Sequence, residues 1–123
     1  TNNTFAIYVI NLVLRWLKNE GGVSAIESVN IRKAAKLYET IDGSDFYTGT
    51  VQKEFRSIMN VTFTLPAQDQ LERFLEQAAA EGLKSLKGHR SVGGVRASIY
   101  NAMPMEGVEA LAAFMKEFER KSS

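Results

Sequence analysis

The sequence predicts a two-layer α+β domain in which a small, mostly antiparallel sheet is covered by helices. Two patterns lead to this fold class. Four stretches carry apolar residues at helical spacing, and two short stretches between them alternate apolar and polar residues as strands do. The chain has 123 residues, of which 45% are hydrophobic and 24% charged, values typical of one globular domain with its own core.

The first predicted helix, Phe5–Lys18, is apolar on nearly every side and stops before Gly21 and Gly22. Such a helix needs cover on more than one side, and a small domain offers little of it. We therefore expect part of its surface to contact another domain or subunit. Its most apolar stretch, Phe5–Leu14, is far shorter than the ~20 residues that span a bilayer, so no membrane association is expected.

The second predicted helix begins at a capping box formed by Ser24 and Glu27 and ends at Asp42 and Gly43. Its apolar face carries Ile26, Val29, Ala34, Leu37, Tyr38 and Ile41. Its charged residues fall elsewhere than on this face, as in an amphipathic surface helix, and these are Glu27, Arg32, Lys33, Lys36 and Glu39.

Two strands are predicted in the rest of the chain, at Ser57–Leu65 and Val95–Tyr100, because apolar and polar residues alternate there. Between them a helix opens at Pro66 and ends at Gly82, and a short extended stretch then leads into a glycine-rich loop. The last helix opens at Pro104. A further short extended piece is expected around residues 46–51.

Positive charge is concentrated in one segment, although fifteen Lys and Arg against fourteen Asp and Glu leave a net charge of only +1. That balance disfavours a nucleic-acid-binding protein. The segment from Gly82 to Met105 has no acidic residue. Its cations are Lys84, Lys87, Arg90 and Arg96, beside the only histidine, His89. With no cysteine and a single histidine, neither a thiolate nucleophile nor a zinc site is expected, and we expect no metal.

This segment predicts an anion-binding site. Arginine presents a planar fork of donors that fits a carboxylate or a phosphate, and the pair Gly93-Gly94 allows backbone amides to approach a ligand closely. His89 and Arg90 on the loop and Arg96 on the strand are suited to hold the two ends of a doubly anionic small molecule. The alternative reading from the residues alone is a set of solvated charges beside a glycine-rich hairpin.

The run Lys87–Pro104 closely resembles a signature near the C-terminus of the phosphoserine aminotransferases. Supporting stretches are Trp16–Lys18 with Gly21-Gly22, Arg56 through Val61, and Glu106–Val108 before a phenylalanine-rich helix. The resemblance covers essentially all 123 residues but only the last third of that family's chain. It implies the C-terminal domain of a fold type I transferase: residues 1–20 would form a helix linking from an absent large domain, and residues 21–123 the small α+β domain.

The resemblance also implies roles for individual residues. His89 and Arg90 would bind the distal anion of the substrate, which is the side-chain carboxylate of glutamate or a phosphate, and Arg96 would bind the α-carboxylate. Thr1 matches a threonine that contacts the cofactor phosphate of the neighbouring subunit. Asn2 and Asn3 stand where prolines are usual, which is a departure from the family pattern.

The implied parent is a cytoplasmic, homodimeric transaminase that depends on pyridoxal 5′-phosphate. It exchanges the amino group between glutamate and 3-phosphohydroxypyruvate in serine biosynthesis, and in many bacteria serves pyridoxine synthesis too. The Schiff-base lysine of the family has no counterpart in these residues, so we expect the chain alone to hold no cofactor and to be inactive. The rival hypothesis is a stand-alone anion-binding or regulatory α+β module without catalysis.

Overall fold

The computed structural model describes all residues, Thr1–Ser123. Its helices are α1 (Thr4–Asn19), α2 (Val23–Asp42), α3 (Gln68–Ala80) and α4 (Met105–Ser122), and a 3₁₀ turn spans Lys53–Phe55. Its strands are β1 (Thr48–Gly49), β2 (Asn60–Thr64) and β3 (Val95–Ser98). All pairings in this three-stranded sheet, in the order β1-β2-β3, are antiparallel, which confirms the predicted fold class.

The two faces of the sheet differ in character because side chains alternate along each strand. Val61 and Phe63 on β2, with Val95 and Ala97 on β3, are buried in the core. The residues between them form an open polar face, on which Asn60 lies opposite Ser98 and Thr62 lies opposite Arg96. One face of the sheet thus stabilises the fold, and the other is free to meet a ligand.

The core is built around Phe74 of α3, which has no exposed surface. Its ring centroid lies 5.0 Å from that of Phe114 and 5.2 Å from that of Phe118, both on α4, and 5.9 Å from that of Phe63. The ring of Tyr47 joins this cluster, and its hydroxyl donates a 2.7 Å hydrogen bond to the carbonyl of Met115. Burial raises the pKa of Tyr47, which therefore stays protonated as a donor.

Helix α1 buries none of its residues and packs against α2. Its large exposed side chains are Phe5, Ile7, Tyr8, Val9, Ile10, Leu12, Val13, Leu14 and Trp16. Exposed apolar surface of this extent is typical of an interaction surface. None of the helices combines the length and the apolar character that crossing a membrane requires.

The link between α1 and α2 corrects the predicted capping box. Gly21 and Gly22 both have positive φ, and the amide of Gly22 donates back to the carbonyl of Leu17 at 2.9 Å. Gly22 is itself the N-cap of α2, with no side-chain cap hydrogen bond, so Ser24 already lies inside the first turn. Because the glycine turn starts the helix at Gly22, Ser24 lies two residues too late to cap it.

Arg56 joins the loop after β1 to the end of α2. Its guanidinium donates two hydrogen bonds to Asp42, at 2.7 and 2.8 Å, and lies 4.5 Å from the ring centroid of Tyr38. Hydrogen bonding from Arg56 lowers the pKa of Asp42 below its usual 3.8. The pair therefore contributes its full stability above about pH 4, and this contribution is lost as the pH falls through the lowered pKa.

We expect Asp42→Asn to lower the free energy of unfolding by about 0.5–1 kcal/mol at pH 7, because the pair is partly exposed and bidentate. The difference from wild type should shrink towards zero as the pH falls below about 4. Urea unfolding of the chain at several pH values measures it. Asp45→Asn is the matched control, since Asp45 is exposed and has no ion pair. A difference that stayed constant from pH 7 to pH 3 would contradict the prediction.

Candidate functional site

The predicted loop residues His89 and Arg90 lie at the tip of a closed hairpin loop. Its base is fixed by a 2.9 Å hydrogen bond from the amide of Gly88 to the carbonyl of Gly94, next to a bridge between Lys87 and Val95. Within the loop, the amide of Gly93 donates to the carbonyl of His89 at 2.7 Å. The tip is thus presented to solvent by a backbone that is held at its base.

Two glycines make this base possible. A Cβ atom on Gly88 would collide with the carbonyl of Gly93. Gly94 has a φ of +67°, and a Cβ there would lie 2.6 Å from the carbonyl oxygen of Phe63 on β2. The close approach of the loop to the neighbouring strand therefore requires residues without side chains.

The hydrogen bonds of His89 fix which nitrogen of its ring carries the proton. Its Nδ1 accepts from the amide of Ser91 at 3.2 Å and lies 2.7 Å from the Oγ of the same serine. A nitrogen that accepts from an N–H carries no proton of its own, so the neutral ring is protonated at Nε2. That Nε2–H remains available to donate to an anion, because His89 is exposed.

Arg96 is placed by β3 on the open polar face of the sheet. Its amide donates to the carbonyl of Leu86 at 2.8 Å, and its side chain is exposed. It lines a cleft of about 460 Å³ together with Lys84, Ser85 and Met103. Next to it on the same face, the Ser98 hydroxyl donates to Asn60 Oδ1 at 3.2 Å.

None of His89, Arg90 and Arg96 forms an ion pair within the chain. The four ion pairs lie elsewhere and involve Asp42 and Glu117. Unpaired guanidinium groups on one hairpin and its strand attract anions, and their planar forks favour carboxylate or phosphate. The arrangement can bind an anion, and it contains neither a cysteine nor a buried lysine that could act as a nucleophile.

Thr1 is exposed and precedes α1, whose N-cap is Asn3; the Oδ1 of Asn3 accepts from the amide of Ala6 at 3.0 Å. No hydrogen bond joins Thr1 to His89, Arg90 or Arg96. Within this chain Thr1 is therefore not linked to the loop and strand that carry the other three residues.

Two buried polar residues of α2, which the sequence did not single out, contact the turn that follows β3. Lys33 has no exposed surface, although the sequence placed it on the solvent-facing side of the helix, and that prediction is wrong. Its ammonium donates to the carbonyls of Ile99, Tyr100 and Met103 in the turn after β3.

Asn30 is also buried, and its Nδ2 donates to Asn101 Oδ1 at 2.8 Å. Asn101 thus faces α2, whereas Tyr100 is 55% exposed and its hydroxyl accepts from Asn60.

A family model described as aminotransferase class-V matches residues 1–111. The chain belongs to the class-V aminotransferase family.

Individual relatives of the chain share one name. A phosphoserine aminotransferase of Ralstonia nicotianae is 57% identical over 123 residues, which are 100% of this chain and 32% of the relative. One from Lactococcus lactis subsp. lactis is 58% identical over 120 residues, or 97% of this chain and 33% of the relative. The chain therefore spans about a third of the length of the curated relatives it matches.

Solved structures agree with the sequence relatives. The phosphoserine aminotransferase from Bacillus circulans subsp. alkalophilus superimposes with a TM-score of 0.97 at 45% identity, over 100% of this chain and 34% of that one. A phosphoserine aminotransferase from Trichomonas vaginalis with bound pyridoxal phosphate matches with a TM-score of 0.88 at 42% identity, over 94% of this chain and 34% of that one.

The residues of this chain do not fit the covalent attachment of a pyridoxal phosphate. The cofactor's aldehyde needs a reachable lysine amine, which proteins activate by desolvation. Lys33 is the one lysine that the fold desolvates, and burial lowers its pKa. All three of its N–H groups are used on backbone carbonyls and it is closed to solvent, so it does not fit that role.

Proposed function

We propose that this chain is the substrate-anion-binding part of a phosphoserine aminotransferase, which converts glutamate and 3-phosphohydroxypyruvate into 2-oxoglutarate and O-phosphoserine. One observation carries the proposal: His89, Arg90 and Arg96 lie on one hairpin loop and its strand without an acidic partner in the chain. The substrates of this reaction are doubly anionic, with a charge at each end. The names of relatives up to 58% identical support the same assignment.

The three residues are placed in a way that suits two substrates with one anionic group in common and one that differs. Both carry an α-carboxylate, and Arg96 on a strand that is hydrogen-bonded on both sides offers it a fixed fork of donors. The distal group is a carboxylate in one substrate and a phosphate in the other. His89 and Arg90, on the solvent-exposed loop tip, can adjust to either group.

The rest of the proposed enzyme would surround this chain. In this proposal residues 1–20 link to a large domain, residues 21–123 form the small domain, and the exposed apolar side chains of α1 are covered by that domain or by a second subunit. The whole protein would hold pyridoxal phosphate, which supplies the electron sink for transamination. Thr1 would contribute one hydroxyl to the cofactor phosphate of the neighbouring subunit of a homodimer. We place the enzyme in the cytoplasm, in serine biosynthesis and, in some bacteria, pyridoxine synthesis.

A stand-alone anion-binding or regulatory module is the second candidate. It is favoured by the fact that residues 34–118 supply one connected core of 18 buried apolar residues, none of which belongs to α1. Such a module would bind dianions through the same three side chains without any catalysis.

The deciding experiment compares the 123-residue chain with the complete product of its reading frame. We expect the complete protein to form 2-oxoglutarate from glutamate and 3-phosphohydroxypyruvate when pyridoxal phosphate is present, and the 123-residue chain to form none. A reading frame about three times as long as this chain would favour the transaminase. A frame that begins near Thr1, with no 2-oxoglutarate formed, would favour the module.

A further inference from the structure

The turn Ile99–Met103, directly after β3, contributes to both large clefts of the molecule. Met103 lines the 460 Å³ cleft that contains Arg96. Tyr100, Asn101 and Ala102 line a second cleft of about 810 Å³, whose other side is formed by α1. The position of this turn therefore affects the shape of the region around the proposed carboxylate-binding arginine.

Lys33 holds this turn from inside the protein. Its Nζ donates hydrogen bonds of 3.1, 2.9 and 2.9 Å to the carbonyls of Ile99, Tyr100 and Met103. An ammonium group has three N–H donors, and all of them are used. The second contact from α2 is the 2.8 Å hydrogen bond between Asn30 and Asn101.

Lys33 forms no ion pair, so its charge is balanced only by these carbonyl dipoles. Burying an ammonium is unfavourable before such compensation, whereas a methionine of similar length would fill the same space without that penalty. Simple packing therefore does not account for a lysine here. What a lysine adds is a three-way link that fixes the relative positions of residues 99, 100 and 103.

Fixing this turn also fixes the end of β3. The amide of Ile99 donates to the carbonyl of Met59 at 2.9 Å, so Ile99 is tied to β2 on one side and to Lys33 through its own carbonyl. Arg96 lies on β3, three residues before Ile99, and β3 ends at Ser98. A loosened turn would free the end of the strand and with it the fork of donors on Arg96.

We propose that Lys33 is a positioning residue: by holding the Ile99–Met103 turn it orients Arg96, and so sets the affinity for a substrate carboxylate that it never touches. The role of Arg96 in this inference rests on the proposed function. The held turn itself does not, because it follows from the three hydrogen bonds alone.

The test compares Lys33→Met with Arg32→Met in the complete enzyme. Arg32 is the adjacent residue of α2 and is exposed, so its variant removes one positive charge without touching the turn. We expect Lys33→Met to raise the KM for glutamate about 10–100-fold, the range that small misplacements of binding groups produce, with kcat changed much less. Arg32→Met should leave the KM within about twofold of wild type.

Hydrogen exchange on the same proteins separates positioning from general stability. The amides of Ile99 and Met103, which donate to Met59 and Tyr100, should exchange about tenfold faster or more in Lys33→Met, while the amides of α4 stay protected. Faster exchange with an unchanged KM would overturn the positioning role, as would a lower kcat that only follows the folded fraction.

Asn30→Ala keeps the proposal testable if Lys33→Met fails to fold, because it removes the neighbouring contact with the same turn. It should raise the KM in the same direction by a smaller factor, and an unchanged KM would overturn the proposal. If the wild-type complete protein shows no transamination, the proposed function fails first. In that case hydrogen exchange is measured on the 123-residue chain with Lys33→Met. Unchanged exchange at the amides of Ile99 and Met103 would show that Lys33 does not hold the turn.

Discussion

Replacing Arg96 with glutamine in the proposed complete enzyme is expected to lower kcat/KM for glutamate about 30-fold or more while leaving the fold intact. Losing a bidentate, charge-assisted contact to a carboxylate costs about 2–5 kcal/mol, and 1.4 kcal/mol corresponds to a factor of ten. Because the Arg96 side chain is exposed and has no partner in the protein, the melting temperature should hardly change. Steady-state kinetics and a thermal unfolding curve on the same sample measure both quantities.

Lys87→Gln is the matched control for this prediction. It removes one positive charge from the same acid-free segment, also at an exposed position. Equal losses of kcat/KM in both variants would show that the segment acts only through its overall potential and would contradict a direct contact by Arg96. Arg96→Lys keeps the charge but loses the planar fork, so its kcat/KM should lie between those of wild type and Arg96→Gln.

Replacing Phe74 with alanine is expected to lower the free energy of unfolding by about 3–5 kcal/mol, a large part of the 5–15 kcal/mol that a domain has in total. Phe74 has no exposed surface and lies edge-on to the rings of Phe114 and Phe118. Its removal would leave a cavity that the rigid helices α3 and α4 can fill only partly. Urea unfolding of the chain measures the effect.

Phe55→Ala is the control for the core prediction. Phe55 lies in the 3₁₀ turn and is 73% exposed, so its removal should change the free energy of unfolding by about 0.5 kcal/mol or less. Comparable losses in the two variants would mean that the aromatic cluster around Phe74 does not dominate the stability of the core.

The helices were predictable because each has a strong periodic apolar pattern. Phe5–Lys18 was extended by only one residue at each end, to Thr4–Asn19, and Pro104 was correctly placed at the start of the last helix, as its N-cap. The strands were shorter than their patterns: Ser57–Leu65 became Asn60–Thr64, because alternation continues past the last paired residue. The helix expected to open at Pro66 begins at Gln68, with Ala67 as its N-cap in extended backbone.

The charged loop and strand could be found from the sequence because an acid-free segment is visible in the order of residues. The tautomer of His89 could not, since it depends on how Ser91 folds back onto the ring. Lys33 was misplaced because a charged residue was assumed to face solvent. Its spacing gave a usable signal, however, because Asn30, Lys33 and Leu37 follow the buried stripe of α2. The carbonyls that accept from Lys33 lie 66 to 70 residues further along the chain, beyond the reach of any local pattern.

Alternate residues of strand β3 have different roles: Val95 and Ala97 are buried, while Arg96 and Ser98 face outward. A slip of one residue against β2 would exchange these roles, burying the arginine and exposing the valine. The hydrogen bond from Gly88 to Gly94 closes the loop that precedes β3 and fixes the number of residues in it, which disfavours such a slip. Val92 in this loop is 64% exposed and has no packing role to lose, so a substitution there should be tolerated better than an inserted or deleted residue.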